Sequence, residues 1–140
     1  MAVAILRWLL VPVCMGAVAA ATFLGGRWVV SRADARCAPE NLIGGACVEP
    51  WQTGTIELVI YVAVIVMALG LTLLPAALAP ALKRSVAVLG ALLALVPMGF
   101  IYYVFGWAEV FPPMLLAALA GLCGIAGVWL RQNNKQKETA

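Results

Sequence analysis

The 140-residue chain has no histidine. That removes the usual imidazole ligand for haem or zinc and the usual general base near neutral pH. Charged residues make up only 11% of the sequence, well below the level of soluble domains. The net charge of +3 is small, and basic residues do not interleave with aromatics on a polar surface, so nucleic acid is not an expected partner. No Cys-x-x-Cys occurs, so thiol oxidation of the four-helix, quinone-linked kind lacks its working motif. Ser/His and His/Asp sets are absent as well, and no catalytic residue, cofactor or metal is expected. Positions 8–24 contain no carboxylate, although the small four-helix multidrug exporters rely on one in their first span.

Apolar sequence dominates instead: 65% of the residues are hydrophobic. Four stretches, roughly 5–29, 55–80, 85–106 and 112–130, are each long enough to cross the hydrocarbon core, which takes about 20 helical residues. The expected fold is all-α, a polytopic integral membrane protein built as a compact four-transmembrane-helix bundle in one membrane domain, 1–140. Residues 30–54 form an outer loop and 131–140 a polar, frayed tail. The N-terminal segment resembles a signal peptide in having Arg7 before an apolar run and Ala19-Ala20-Ala21 near its end, but it reads as the first span.

Charge sets the expected orientation. Arg7, Lys83, Arg84, Arg131, Lys135 and Lys137 fall at one side, and Arg27, Arg32 and Arg36 at the other. Because short basic loops resist translocation, six against three places both termini in the cytoplasm. Arg27 runs against this rule and is expected to snorkel toward lipid phosphates. Short loops and compactness suggest a bacterial inner membrane.

Cysteine use agrees with this orientation. Cys37 and Cys47 lie in the outer loop, where disulfides persist. Between them, Gly44-Gly45 can turn the chain, and Pro39 and Pro50 stiffen the flanks. Closing this 11-residue ring should stabilise by about 2–3 kcal/mol in the chain-entropy model. Cys14 and Cys123, both mid-span, are expected to pack as small hydrophobes.

Small residues mark two expected helix-packing faces. One, in the first span, contains Gly16 and Ala20. The other, in the fourth, contains Ala117, Ala120, Gly121 and Gly124. Such faces admit close helix approach, and packing drives association in lipid. Pro12 falls in the first turns of span one. Pro75 and Pro80 should kink or end span two, and Pro97 should kink span three. Pro112-Pro113 should open span four. A short helix over 31–36 is compatible with the loop. Thr22 and Thr72 are expected to bond back to their own helices. The helical pairs show no self-similarity, so an inverted-repeat transporter gains no support.

The remaining polar candidates cluster at the outer side. Arg27, Arg32 and Arg36, five and four residues apart, could share a face and hold a phosphate, a headgroup or an acidic partner. The alternative is ordinary pairing with Asp34, Glu40 and Glu49. Glu57 is expected in the first turn of span two, where the helix dipole favours it, with a cation or a partner as its sharper role. Glu109 reads as a connecting-loop residue.

Four helices, inside termini and a first outer loop carrying Cys37-x9-Cys47 beside Trp28 and Trp51 resemble the claudin and tetraspan plan. The likeness covers topology and one spacing. The loop is too short for that family's extracellular sheet and lacks its Gly-Leu-Trp signature, so the resemblance implies no activity. The expected function is contact, as an accessory, assembly or regulatory subunit of a larger envelope complex. Its partners are then the lipid bilayer and another integral membrane protein or a self-oligomer. The alternative is an oligomeric transporter or channel component for a lipid or other small molecule.

Overall fold

The computed structural model describes residues 2–44, 46–105 and 107–138. It is all-helical apart from one small hairpin. Helix α1 spans Ala2–Asp34, α2 Pro50–Leu78, α3 Lys83–Phe105 and α4 Trp107–Glu138. Among the described residues, three stretches are long and apolar enough to cross a membrane: Ile5–Asp34, Pro50–Leu78 and Phe111–Asn134. In α3, the side chains of residues 98, 100–102, 104 and 105 lie outside the described residues. So do those of Trp107 and Glu109 at the start of α4.

The helices run further than apolar length alone suggests. Helix α1 absorbs most of the short helix expected over 31–36 and ends at Asp34. Helix α2 begins at Pro50, a proline suited to the first helical position because it lacks only an N–H that would go unpaired there. Glu57 therefore sits about two turns in, beyond the strongest reach of the dipole. The expected tail is helical as far as Glu138. One reason is that Arg84 donates to Gln132 Oε1 at 2.8 Å and to Asn133 Oδ1 at 2.9 Å. The same guanidinium lies 4.5 Å from the Trp129 ring centroid. These contacts bind the start of α3 to the last turns of α4.

The prolines also depart from expectation. Pro12 lies well inside α1, and Pro112 and Pro113 lie inside α4. Helix α2 runs past Pro75 and ends at Leu78, two residues before Pro80. Having no N–H, Pro75 offers no donor to the Leu71 carbonyl four residues back. Gly90 of α3 crosses at that carbonyl, and a Cβ on Gly90 would lie 1.9 Å from the Leu71 oxygen. Only glycine lets the two backbones pass this closely.

Helix α2 is the hub and packs on each of the other three. Ala68 and Leu71 of α2 meet Ala94 of α3 and Ala120 of α4 in a buried cluster. Val64, Ala117 and the half-buried Leu95 and Met114 extend it toward the hairpin end. At the opposite end Val11 of α1 joins Ala79 and Val86. Helix α1 otherwise leans on α2, and Val18 fills the space above Gly70, 2.7 Å from where a Cβ would stand.

Between α1 and α2 the chain makes a 3-10 turn, Pro39–Asn41, and two strands, β1 (Leu42–Ile43) and β2 (Ala46–Cys47). Leu42 pairs with Cys47 and Ile43 with Ala46, antiparallel. Gly44 adopts φ +60° to reverse the chain, a conformation that glycine takes without steric cost. The expected turn partner Gly45 lies outside the described residues. Cys37 and Cys47 stand at disulfide distance, with Cα atoms 5.9 Å apart.

Candidate functional site

The polar groups at the hairpin end divide into those already engaged and those left free. Asp34, the last residue of α1, accepts a 2.6 Å hydrogen bond from Nε2 of Gln52 in the first turn of α2. Gln52 is 1% exposed, and its Oε1 has no partner. This bond bolts the two helices together above the disulfide. Glu49, just before α2, accepts from Asn41 Nδ2 at 2.9 Å and from the Trp51 indole N–H. Its carboxyl is held below the ordinary value of 4.5, chiefly by the Asn41 amide and next by Trp51. Two loop carboxylates that might neutralise the arginines are thus occupied by neutral donors.

Among the described residues the arginines make no ion pair: none of Arg27, Arg32 and Arg36 lies within ion-pair distance of Glu40 or any other carboxylate. Arg32 stacks over Trp28, 5.3 Å from the ring centroid, which orients the guanidinium without neutralising it. Arg36 lies past the helix end, in a turn closed by its own N–H to the Ala33 carbonyl at 3.0 Å. Arg32 and Arg36 meet with Trp28, Val29, Ala33, Trp51 and Thr55 around an open recess of about 620 Å³. Arg27 is exposed and does not line it. Five residues turn a helix by about 500°, so Arg27 and Arg32 are well separated around the axis. The expected triad is a pair.

Glu57 is exposed on α2 and has no partner among the described residues. It too lies off the recess. The hydroxyls of Ser31 and Thr55 each donate to a carbonyl of their own helix, those of Trp28 and Trp51 at 2.9 Å. What faces the recess is therefore two cations and two indoles. Chemically that set can hold an anion beside a flat or apolar group. Cys37, Cys47 and Glu49 also converge within 4.8 Å, but two sulfurs bonded to each other offer no thiolate to a metal.

The chain matches no known family model, no curated protein and no solved structure.

The two small-residue faces have different surroundings. On α4, Ala117 and Ala120 are buried. Gly121 faces Ala91, whose Cβ would lie 3.2 Å from an added Cβ, and Gly124 faces the Thr72 methyl at 2.7 Å. On α1, Gly16 and Ala20 are exposed, and nothing lies within 4 Å of a Cβ placed at Gly16 or Gly25. Of the mid-span cysteines, Cys14 is half-buried and Cys123 exposed on the outer face of α4. Thr22 and Thr72 bond back to the carbonyls of Val18 and Ala68 at 2.8 and 2.6 Å.

Sequence reasoning found Arg32 and Arg36 but not Trp51 and Thr55 beside them, nor the Gln52–Asp34 bolt. These belong to another helix, reached through the loop. The nearest available signal was Trp51-Gln52 directly after Pro50, a polar and aromatic helix start facing the polar end of α1.

Proposed function

We propose that this chain is a four-span protein of a bacterial inner membrane, both termini cytoplasmic, that works by contact rather than by chemistry of its own. Its role is that of an accessory, assembly or regulatory subunit in a larger envelope complex, with another integral membrane protein as partner. The observation that carries this reading is the uncovered small-residue face of α1. Only 6% of the spanning window of α1 is buried, against 28% for α2. Gly16, Ala17, Ala20, Ala21 and Gly25 all lie on exposed surface. Lipid tails fill the space around Leu or Phe as well as a protein does. A glycine and alanine surface gains most from another helix, because backbones then approach closely. The equivalent face of α4 is already used inside the fold; that of α1 is left over. The unpaired Arg32 and Arg36, with their indoles, add a second, polar point of attachment at the hairpin end.

The test is purification of the full chain in mild detergent, alongside Gly16→Leu/Ala20→Leu. The expected result is a stoichiometric second protein that the double variant loses while its own helical content and melting stay unchanged. A homo-oligomer that conducts a solute in liposomes without any second protein would replace this reading with the transporter one. Topology is checked separately: a reporter that glows only in the cytoplasm should stay dark when fused at Gly44.

A further inference from the structure

At the end of the bundle opposite the hairpin, α2, α4 and the start of α3 line a cleft of about 490 Å³. Its floor and walls are apolar: Leu73, Leu74 and Ala77 from α2, Gly127 and Val128 from α4. Gly127 contributes to the width, for the nearest atom to a Cβ placed there is Leu73 Cδ2 at 3.9 Å. The mouth carries Lys83, Arg131 and Gln132. Among the described residues, no acidic one lines the cleft. Among the described residues, neither Lys83 nor Arg131 is within ion-pair distance of a carboxylate.

The neighbouring Arg84 shows why these groups stay available. It takes the oxygens of Gln132 and Asn133 and the face of Trp129 for itself. With its oxygen already accepting from Arg84, Gln132 is left with its amide N–H groups as its unengaged donors. Lys83, Arg131 and Gln132 together therefore present mainly donors, two of the three residues being cationic. The matching ligand is an anion with several acceptor oxygens and an apolar extension, and the group that fits is a phosphate diester carrying an acyl chain.

We propose that this cleft is a binding site for one anionic phospholipid. The headgroup phosphate sits between Lys83 and Arg131, and an acyl chain lies along Leu73, Leu74 and Val128. Basic pockets between membrane helices recognise anionic headgroups in this way, and guanidinium and ammonium groups bond phosphate oxygens strongly when no carboxylate competes. Free phosphate satisfies the cations but gains nothing from the apolar walls, so the lipid is the favoured source. The inference rests on the membrane-spanning reading, though not on the contact function.

The experiment is native mass spectrometry of the full-length protein in detergent. The probes are phosphatidylglycerol, phosphatidylcholine and inorganic phosphate. One phosphatidylglycerol should be retained in preference to phosphatidylcholine, and inorganic phosphate at the same concentration should not displace it. Removing both charges, Lys83→Gln/Arg131→Gln, should weaken retention about 25-fold, taking roughly a factor of five for each cation near a headgroup. Gly127→Leu keeps both cations but fills the cleft and should weaken retention too. Equal retention of the two lipids, displacement by inorganic phosphate, or wild-type retention by either variant overturns the site. Circular dichroism of the variants verifies folding. Failure of the spanning reading is visible elsewhere, as chain that stays in solution without detergent, and so cannot be confused with failure of the cleft.

Discussion

The small residues of helix α1 lie largely on open surface, Gly26 against Val59 excepted, while several in the trio of α2, α3 and α4 stand against a neighbouring helix. Within the trio, Gly90, Gly121 and Gly124 each stand against a neighbouring helix, at the Leu71 carbonyl, Ala91 and Thr72 respectively. In α1, Gly16 and Gly25 meet nothing. The trio holds by interdigitation. Helix α1 holds by one line of contact with α2, the Val11 cluster with Ala79 and Val86, the Gln52–Asp34 bolt and the cross-linked loop. A small residue in an apolar helix thus marks a surface suited to packing, while the fold decides whether that surface is filled.

The largest expected effect falls in the trio. Gly90→Ala places a methyl group where the Leu71 oxygen already is. The side chain added is the smallest available, yet its obstacle is backbone and cannot rotate aside. The helices must separate, which uncovers a carbonyl that Pro75 has left without its usual donor. We expect a loss of about 3 kcal/mol, at the upper end of overpacking costs, read as a lowered melting temperature in detergent. An unchanged melting temperature would mean that α3 does not cross α2 at this point.

The attachment of α1 comes next. Cys37→Ser/Cys47→Ser should reduce stability by about 2–3 kcal/mol, and the loss should appear as earlier release of α1 rather than as melting of the trio. Hydrogen exchange resolves the two, with residues 27–34 losing protection before 64–72. In the unaltered protein, a thiol reagent applied after denaturation without reduction should modify Cys14 and Cys123 alone. Modification of Cys37 or Cys47 would remove the cross-link from the account.

The loop's acidic clasp is weaker and reversible. Glu49 has a depressed pKa in the folded chain because the Asn41 and Trp51 donors favour its charged form. Its contribution is therefore complete above the unfolded carboxylate value of 4.5 and disappears as pH falls through the depressed folded value. The Asn41 side-chain amide and the Trp51 indole proton should both shift in NMR spectra below that range, and Glu49→Gln should abolish the acid response. The helices of the trio should not respond.

Much of this division was legible in the sequence, for reasons that differ by region. Apolar length marks α1, α2 and α4 because the hydrocarbon core has a fixed thickness. The disulfide pair follows from two cysteines in the only substantial polar loop. Helix ends were less legible. The extension of α4 to Glu138 depends on Arg84 reaching across from another helix, and a local reading sees only a polar tail. Pro75 and Pro80 mark a kink or an end in the sequence, but nothing nearby announces that Gly90 will come to lie against the carbonyl that Pro75 leaves unbonded. The recess followed the same pattern. Spacing along one helix picked out the arginines, but periodicity at five residues put Arg27 elsewhere, and the indole and threonine arrived from α2. The cleft of Lys83 and Arg131 had no local signature at all, because its two cations are 48 residues apart.

The smallest expected effect on the isolated chain belongs to α1, and it is the most informative about function. Gly16→Leu adds bulk where no atom of this chain lies within 4 Å of a Cβ. It also replaces the poorest ordinary helix former with one of the best. Stability of the purified chain should accordingly change by no more than about 1 kcal/mol, and upward. The same bulk placed at Gly124 would strike Thr72 and unfold the trio. If Gly16 serves only as lipid-facing surface, the leucine variant should behave as wild type in every assay. If the face receives another helix, as proposed, the variant should be stable and yet fail to hold its partner. That separation of stability from association could not arise at any of the glycines already packed inside the fold.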